Sequence, residues 1–427
     1  MSTNGGDAVI DDGWIAAALA AARPQAISAL LRYFRDLDTA EDAFQEASLR
    51  ALKAWPVNGP PRDPAAWLIL VGRNYALDEL RRRKRDVALP EQETVENPHA
   101  AQAELAERLD ESHYRDDILR LLFICCHPEL PATQQIALAL RIVSGLSVKE
   151  IARAFLVSEA AMEQRITRAK RRVAQADVPF DAPGPVERGQ RVGAVAAMIY
   201  LLFNEGYSAS SGEVHIREPL CEEAIRLARL LLRLFPAEPE IMGLLALLLL
   251  QHARAPARLD ANGEIVLLED QDRRLWRREP IAEGLALIEK AMRHRRIGPY
   301  QLQAAIAAVH ARAARAEDTD WAEIERLYAI LEAIQPSPVV TLNRAVAVAK
   351  VRGAAEALAL IEPLAEPLAG YFHFHGVKGA LLLQLGRERE AQVAFDRAIA
   401  LARTAQEAAH IRLHLDRLRA AREPERA

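Results

Sequence analysis

Among the 427 residues only three are cysteines, Cys125, Cys126 and Cys221. The number is odd, two are adjacent and no Cys-x-x-Cys occurs, which argues against a disulfide framework and a structural zinc site. Cys125-Cys126-His127 leaves two readings, a metal or oxidant-sensing site and small apolar residues closing a helix before Pro128. The second is the expectation, since free cysteine usually behaves as a small buried hydrophobe. So few thiols fit a reducing cytoplasm. Aromatic residues are 5% of the chain and glycines number 20. Alternating Val/Ile/Thr-rich runs bounded by turns are nearly absent, which argues against a sandwich or barrel. The abundance of Ala and Leu predicts an all-α protein. The leucine-rich run Leu244–Leu250 is too short to span a bilayer. The N-terminus has no basic-then-apolar leader, so no membrane is expected. An excess of positive charge is also missing. A net charge of −4 is not that of a polycation that holds DNA unaided. DNA contact would rest on local basic patches, or on a partner that supplies most of the affinity. Finally, no Ser/His/Asp order, zinc spacing or phosphate-cradling glycine loop appears. No catalytic residue, cofactor or metal is expected.

Three blocks stand out by texture. Residues 10–86 read as a helical domain ending in the basic run Arg81–Arg85. Residues 87–112 are polar and acidic, with Pro90 and Pro98, and read as a linker. Residues 113–176 form a second helical domain ending in another basic cluster. Beyond the Pro179–Pro185 break, residues 186–427 are helical, Ala/Leu-rich and repetitive. Ala345–Ala357 and Gly379–Ala391 align at an offset of 34 residues. A second spacing recurs at Ala224, Ala228, Leu231, Pro236 and at Ile324, Tyr328, Leu331, Pro336. Both features resemble tetratricopeptide repeats, whose period is about 34 residues.

The strongest local signal lies at Ser147–Arg172. Ser147 and Glu150 make a capping box, and Ile151 and Phe155 are expected to face inward. Leu156-Val157 forms the turn and Ser158 caps the next helix. There Met162, Ile166, Ala169 and Val173 form one apolar stripe. The pattern is a helix-turn-helix. Glu159, Ala161, Gln164 and Arg165 would meet base edges, while Arg168, Lys170, Arg171 and Arg172 would grip phosphates. Five of the eight residues Arg165–Arg172 are basic and none is acidic.

The first block repeats this logic. Asp63-Pro64 opens a helix in which Trp67, Leu70, Val71, Leu77 and Leu80 are expected to pack inward. Asn74, Asp78, Arg81 and Arg85 fall on one polar stripe, flanked by Arg82. The preceding Pro/Gly-rich loop, Pro56–Arg62, could form a pocket. One helix earlier, starting at Thr39, Phe44, Ala47, Ala51 and Trp55 share a face. On spacing alone Asp42, Gln45 and Glu46 read as an ordinary solvated acidic face; as a contact patch they would suit a basic protein partner rather than DNA.

These segments, in this order, resemble the two conserved domains of extracytoplasmic-function (ECF) sigma factors. AEDAFQEASLRALKAW is similar to their region 2.2, which contacts the polymerase clamp. DPAAWLILVGRNYALDELRRRKR is similar to regions 2.3–2.4, which melt and read the minus-ten element. LPATQQIALALRIVSGLSVKEIARAFLVSEAAMEQRITRAKRRV is similar to region 4, which reads the minus-thirty-five element. Glu163 stands where such helices often carry lysine. FICCHPELP and IYLLFNEGYSASSG resemble the subgroup with a C-terminal tetratricopeptide-like extension, in which the extension is thought to regulate the factor. Asn204, Glu205 and Tyr207 then lie either in a binding loop or in a structural turn.

The resemblance implies two small helical sigma domains followed by a helical repeat domain, with core RNA polymerase and promoter DNA as partners. It also implies a regulatory protein or peptide held by the repeats. Asp42, Gln45 and Glu46 would dock on polymerase, and Asn74 would read a flipped base. Two rivals stay open. A stand-alone helix-turn-helix regulator with a repeat sensor domain predicts a dimer on a palindromic operator. A peptide-binding repeat scaffold predicts no salt-sensitive DNA contact.

Overall fold

The computed structural model describes residues 13–59, 61–85, 121–155, 157–175, 185–207, 217–260 and 266–402, with Ala408, Ile411 and Arg412. The expected linker, residues 87–112, lies outside them. The described residues are helical, with no β-sheet among them, so the all-α expectation holds. They divide into two compact units, Met1–Leu201 and Leu202–Ala427.

In the first unit three long helices make a bundle: α1 (Gly13–Phe34), α2 (Leu37–Asn58) and α3 (Pro64–Arg85). Asp36 caps α2 by accepting from the Thr39 amide at 2.8 Å, so the helix begins before the expected Thr39 start. Phe44, Ala47, Ala51 and Trp55 are buried in one stripe, as their spacing predicts. The Trp55 indole stacks on Trp14 at 6.0 Å and meets Trp67 edge-on at 5.5 Å. The expected Pro56–Arg62 loop is shorter than its composition implied. Pro56 lies inside α2, which runs to Asn58 and ends at Gly59. Proline's fixed φ suits a helix, so Pro56 costs the last turn one hydrogen bond without ending it, and the Gly59 amide closes the turn by donating to the Trp55 carbonyl at 2.9 Å.

Asp63 opens α3 as expected, accepting from the amides of Ala65 and Ala66. The buried face of α3, however, is rotated from the expected one. Ala65, Ala66, Leu68, Ile69 and Ala76 are buried with Leu70, whereas Trp67, Val71 and Leu77 are only half-buried. Beside these, Gly72 lets α3 approach α2 closely: a Cβ there would lie 2.8 Å from the Ala43 carbonyl oxygen.

The second half of this unit holds α4 (Ala132–Ala139), α5 (Val148–Ala154) and α6 (Glu159–Gln175). A π-helical turn, Leu140–Ser144, extends α4 and ends at Gly145 with φ +79°. The capping box of α5 is complete: the Glu150 amide donates to Ser147 Oγ at 3.2 Å, and the Ser147 amide donates to Glu150 at 2.7 Å. Those bonds hold the Glu150 carboxyl below its usual range. Cys125 and Cys126 are buried, and burial pushes the Cys126 thiol up to about 12. They are inert packing groups rather than reactive thiolates.

The division between the units falls inside α7 (Pro185–Tyr207), later than the expected domain start at residue 186. An unbroken helix offers no chain break there, and Arg191 lies 5.8 Å over the Phe123 ring. The Asn204-Glu205-Tyr207 segment, one reading of which was a binding loop, is the last turn of α7. Glu205 pairs with Arg217 at 2.8 Å, Tyr207 stacks on Phe203, and the Arg258 guanidinium lies 3.9 Å over the Tyr207 ring.

The second unit continues with α8 (Glu218–Leu234), α9 (Pro239–His252), α10 (Arg278–Met292), α11 (Pro299–Arg312), α12 (Trp321–Ile334), α13 (Pro338–Arg352), α14 (Ala354–Ile361), α15 (Phe372–Gln384) and α16 (Glu388–Leu401). α9 is apolar on every side because α8, α10 and α11 surround it. A Cβ on Gly243 would lie 2.6 Å from the Gln301 backbone nitrogen, so the α9–α11 approach requires glycine. Ala224, Ala228 and Leu231 are buried on α8, as are Ile324 and Leu331 on α12, while Tyr328 is half-buried. α13 pairs with α14 and α15 with α16. The second pair begins at Phe372 and Glu388, where the first begins at Pro338 and Ala354, the same spacing in both cases. Buried Glu325 ties α12 to α13 through Arg352 at 2.6 Å and Arg344 at 3.5 Å.

Candidate nucleic-acid interface

α5 and α6 form the helix-turn-helix. Ser158 Oγ accepts from the Ala161 amide at 3.2 Å and starts α6. Met162, Ile166 and Ala169 are buried, with Val173 half-buried beside them. This leaves Glu159, Ala161, Gln164, Arg168, Arg171 and Arg172 exposed, with Arg165 half-buried. Arg172 also donates to the Glu129 carbonyl at 3.2 Å. Thus the base-edge candidates and most of the phosphate candidates share the solvent side of α6.

Lys170 is placed differently. Its Nζ lies 2.6 Å from Asp38 and 2.9 Å from Glu41, both on α2. Burial lowers its pKa, but the hydrogen bonds and charges of Asp38 and Glu41 outweigh that and leave it raised. Instead of standing free for a phosphate, Lys170 latches α6 to the first bundle. A cation spaced with the DNA-facing residues can also reach sideways, because its stem is long and flexible.

Glu41 is the centre of that latch, and it was not among the expected site residues. It is 3% exposed. Arg141, just beyond α4, lies 2.6 Å from it in ion-pair contact, and Arg23 of α1 lies at 3.6 Å. Arg23 is itself buried and donates to the carbonyls of Ile142 and Arg141, both at 3.0 Å. It thereby satisfies the π-turn's free carbonyls, the electronegative end of a helix. Burial pulls the Arg23 pKa down to about 10, against the raising effect of Glu41. The clue in sequence was a carboxylate at position 41 bordering the apolar stripe, but nothing there named its distant partners.

On α2, Asp42 and Gln45 are exposed and Glu46 is half-buried, paired with Arg50 at 3.0 Å. Leu49 and Leu52, 54% and 50% exposed, extend this acidic surface with apolar area. On α3, Asn74 is half-buried. Asp78 pairs with Arg81 at 3.6 Å and Glu79 with Arg82 at 3.0 Å, and both arginines are exposed. The Arg85 side chain lies outside the described residues.

For a metal, Glu218, Glu222 and His252 of the second unit bring one ligand atom each within 4.8 Å of one another. A cation already sits there: Arg277 bonds Glu218 and lies 2.8 Å from His252 Nε2. That contact needs an unprotonated Nε2, and burial with Arg277 keeps the His252 pKa low.

Comparisons with known proteins match the same segments of the chain. Residues 19–86 match sigma-70 region 2, and residues 120–173 match sigma-70 region 4. Residues 191–292 match a family of unknown function, DUF6596. An uncharacterized protein of Rhizobium meliloti (strain 1021) is 69% identical over 410 residues, 96% of this chain and 97% of that protein. The chain belongs to one family with that relative, and its own sigma-70 regions 2 and 4, followed by the DUF6596 segment, make it an ECF-like sigma factor of transcription initiation.

Proposed function

We propose that the protein is a promoter-specificity subunit whose two DNA-reading regions are latched together at rest and separate on core RNA polymerase. The observation that carries this reading is the succession of region 2 and region 4, with Asp42, Gln45, Arg81, Arg82, Arg168 and Arg171 exposed and the two joined by the Lys170–Glu41 latch. Region 2 docks on polymerase through Asp42, Gln45 and Glu46. It then reads and melts the minus-ten element with Asn74, Asp78, Arg81, Arg82 and Arg85. Base capture falls to the segment ahead of α3 and to Asn74; flipping costs a few kcal/mol and is easiest at weakly paired steps. Region 4 sets α6 in the minus-thirty-five major groove. Glu159, Ala161, Gln164 and Arg165 take the base edges, and Arg168, Arg171, Arg172 and the released Lys170 take phosphates.

Promoter elements about one and a half helical turns apart lie roughly 50–60 Å apart, at ~34 Å per turn. The latch holds α6 within hydrogen-bond distance of α2. Opening it is therefore part of promoter binding, and about thirty linker residues can reach ~100 Å. The net charge of −4 fits a factor whose DNA affinity comes chiefly from polymerase. The chain performs no chemistry, since nucleotidyl transfer belongs to polymerase, and it works in the cytoplasm. The extension acts as a regulatory domain of tetratricopeptide-like helix pairs, which take a controlling protein or peptide.

The test is run-off transcription with core polymerase and a promoter pool, comparing the parent with Asn74→Ala and Arg168→Ala. Protein-dependent transcripts weakened by each substitution are expected. If neither transcript nor polymerase binding appears, even after removal of residues 202–427, the sigma assignment is wrong. Dimeric binding to a palindrome without polymerase would then identify a stand-alone regulator.

A further inference from the structure

We infer that the extension binds a small anionic amphiphile, a monocarboxylate with an apolar chain, in a cavity bounded by the 267–273 segment, α12, α13 and α15. The cavity is about 370 Å³, within the few-hundred to ~1,000 Å³ range of small-molecule sites. That volume admits a compact ligand but not a folded partner. Its walls are largely apolar: Leu268, Trp321, Val346, Phe372 and Val377. Such a lining favours an apolar body and is empty of specificity without a polar anchor.

Charge supplies the anchor. Arg273 lines the cavity and is 7% exposed. It donates to the carbonyls of His310 and Ala313, at 2.7 and 2.8 Å, and to Thr319 Oγ1 at 3.0 Å, while its buried Nε has no partner. Arg254 stands close by. The two guanidinium groups lie 5.1 and 5.7 Å from the Trp276 ring. Among the described residues neither has a carboxylate at ion-pair distance, and Glu317 and Asp318 act on Arg273 only from beyond contact. A buried cation, Arg273, beside the half-buried Arg254 with no anion in contact, is costly. His310, also on the lining, adds no charge: burial, then Arg254 and Arg273, push its pKa down to about 4. Its Nδ1 is likewise without a partner. The one acid on the lining, Glu269, is neutralised by Lys350 at 2.9 Å, and both are exposed. The cavity therefore has apolar walls, an inner end with excess positive charge, and a balanced outer pair. A carboxylate head at Arg273 with its chain along the aromatic walls satisfies all three.

The probes are decanoate and decanol, titrated by calorimetry into the full chain. Decanoate should bind one-to-one and at least tenfold tighter than decanol. Ala380→Trp, which fills the cavity from α15, should weaken decanoate at least tenfold while circular dichroism and the thermal midpoint stay near the parent's. Arg273→Met should erase the preference for acid over alcohol. Because Arg273 also holds the local chain, that variant is read only if it folds; otherwise the acid-to-alcohol ratio of the parent decides. Absence of decanoate binding, equal binding of acid and alcohol, or unchanged binding by folded Ala380→Trp would each overturn the assignment. None of these readouts requires polymerase, so the inference stands or falls apart from the sigma reading.

Discussion

Replacing Glu41 by glutamine should open the latch between regions 2 and 4. The substitution keeps the shape and removes the one buried anion among Arg23, Arg141 and Lys170. Each close pair is worth roughly 5 kcal/mol before desolvation at an effective dielectric near 20. Desolvation offsets most of that in the intact network, but removing one partner of a buried pair costs ~3–5 kcal/mol. The Lys170 and Arg141 side chains keep 19% and 21% of their surface in water. That screening lowers the expected loss to about 2–4 kcal/mol. The closed-to-open ratio should fall roughly 30- to 1,000-fold. Energy transfer between dyes at Val57→Cys on α2 and Arg171→Cys on α6 reads the opening. Both sites are exposed, whereas the native thiols are buried, so labelling is selective. Glu41→Gln should lower the transfer, and combining it with Lys170→Met should add less than the two single effects, because they share one interaction. Glu46→Gln, on the outer face of α2, should leave transfer unchanged. If Glu41→Gln transfers as the parent does at every salt concentration, the ion pairs do not hold the regions together. The pH dependence is a second check on the same network. The Lys170 pKa is raised, so its contribution is fully present below the ordinary lysine value and is lost only as pH rises beyond it. The latch should therefore be indifferent to pH from 7 to 9.

Three further outcomes follow from local geometry. His310 is held neutral with its pKa near 4, below its unfolded value, so the unfolded chain takes up the proton first. Stability of the extension should fall by about 3 kcal/mol as pH drops from ~6.5 to ~4, and urea titrations of His310→Gln should show a flatter pH profile. Gly243→Ala forces a Cβ to 2.6 Å from backbone that cannot move aside. It should cost about 1–3 kcal/mol despite alanine's better helix propensity, measured by chemical denaturation. Ser147→Ala removes the capping box of α5 and should cost about 1 kcal/mol. Because the Glu150 pKa is depressed in the folded state, the cap's contribution is present above the usual carboxylate pKa and lost as pH falls through the folded value. A thermal-denaturation series from pH 7 to 3 reads both effects.

Local chemistry made much of this protein legible in its sequence. The capping box at Ser147 and Glu150, the Asp63-Pro64 helix start, and the Met162, Ile166, Ala169 stripe all depend on residues within a few positions of one another. Helical geometry brings such residues together wherever the chain goes. The same holds for the Phe44 to Trp55 face and for the helix pairs that recur at a fixed spacing. Tertiary structure decided the rest. Which side of α3 is buried was set by its packing against α1 and α2, and Pro56 stayed helical although its ring removes one hydrogen bond from the final turn of α2. Asn204, Glu205 and Tyr207 read as a polar segment, yet they end a helix packed against Arg217 and Arg258. Glu41 and Lys170 are more than a hundred positions apart, as are Arg23 and Ile142. A pairing at that separation leaves no trace in local spacing, because either partner alone looks like an ordinary charged residue on a helix. The ligand cavity has the same origin: Arg273, Trp321, Lys350 and Phe372 come from four separate segments, and only their packing leaves a buried cation facing apolar walls.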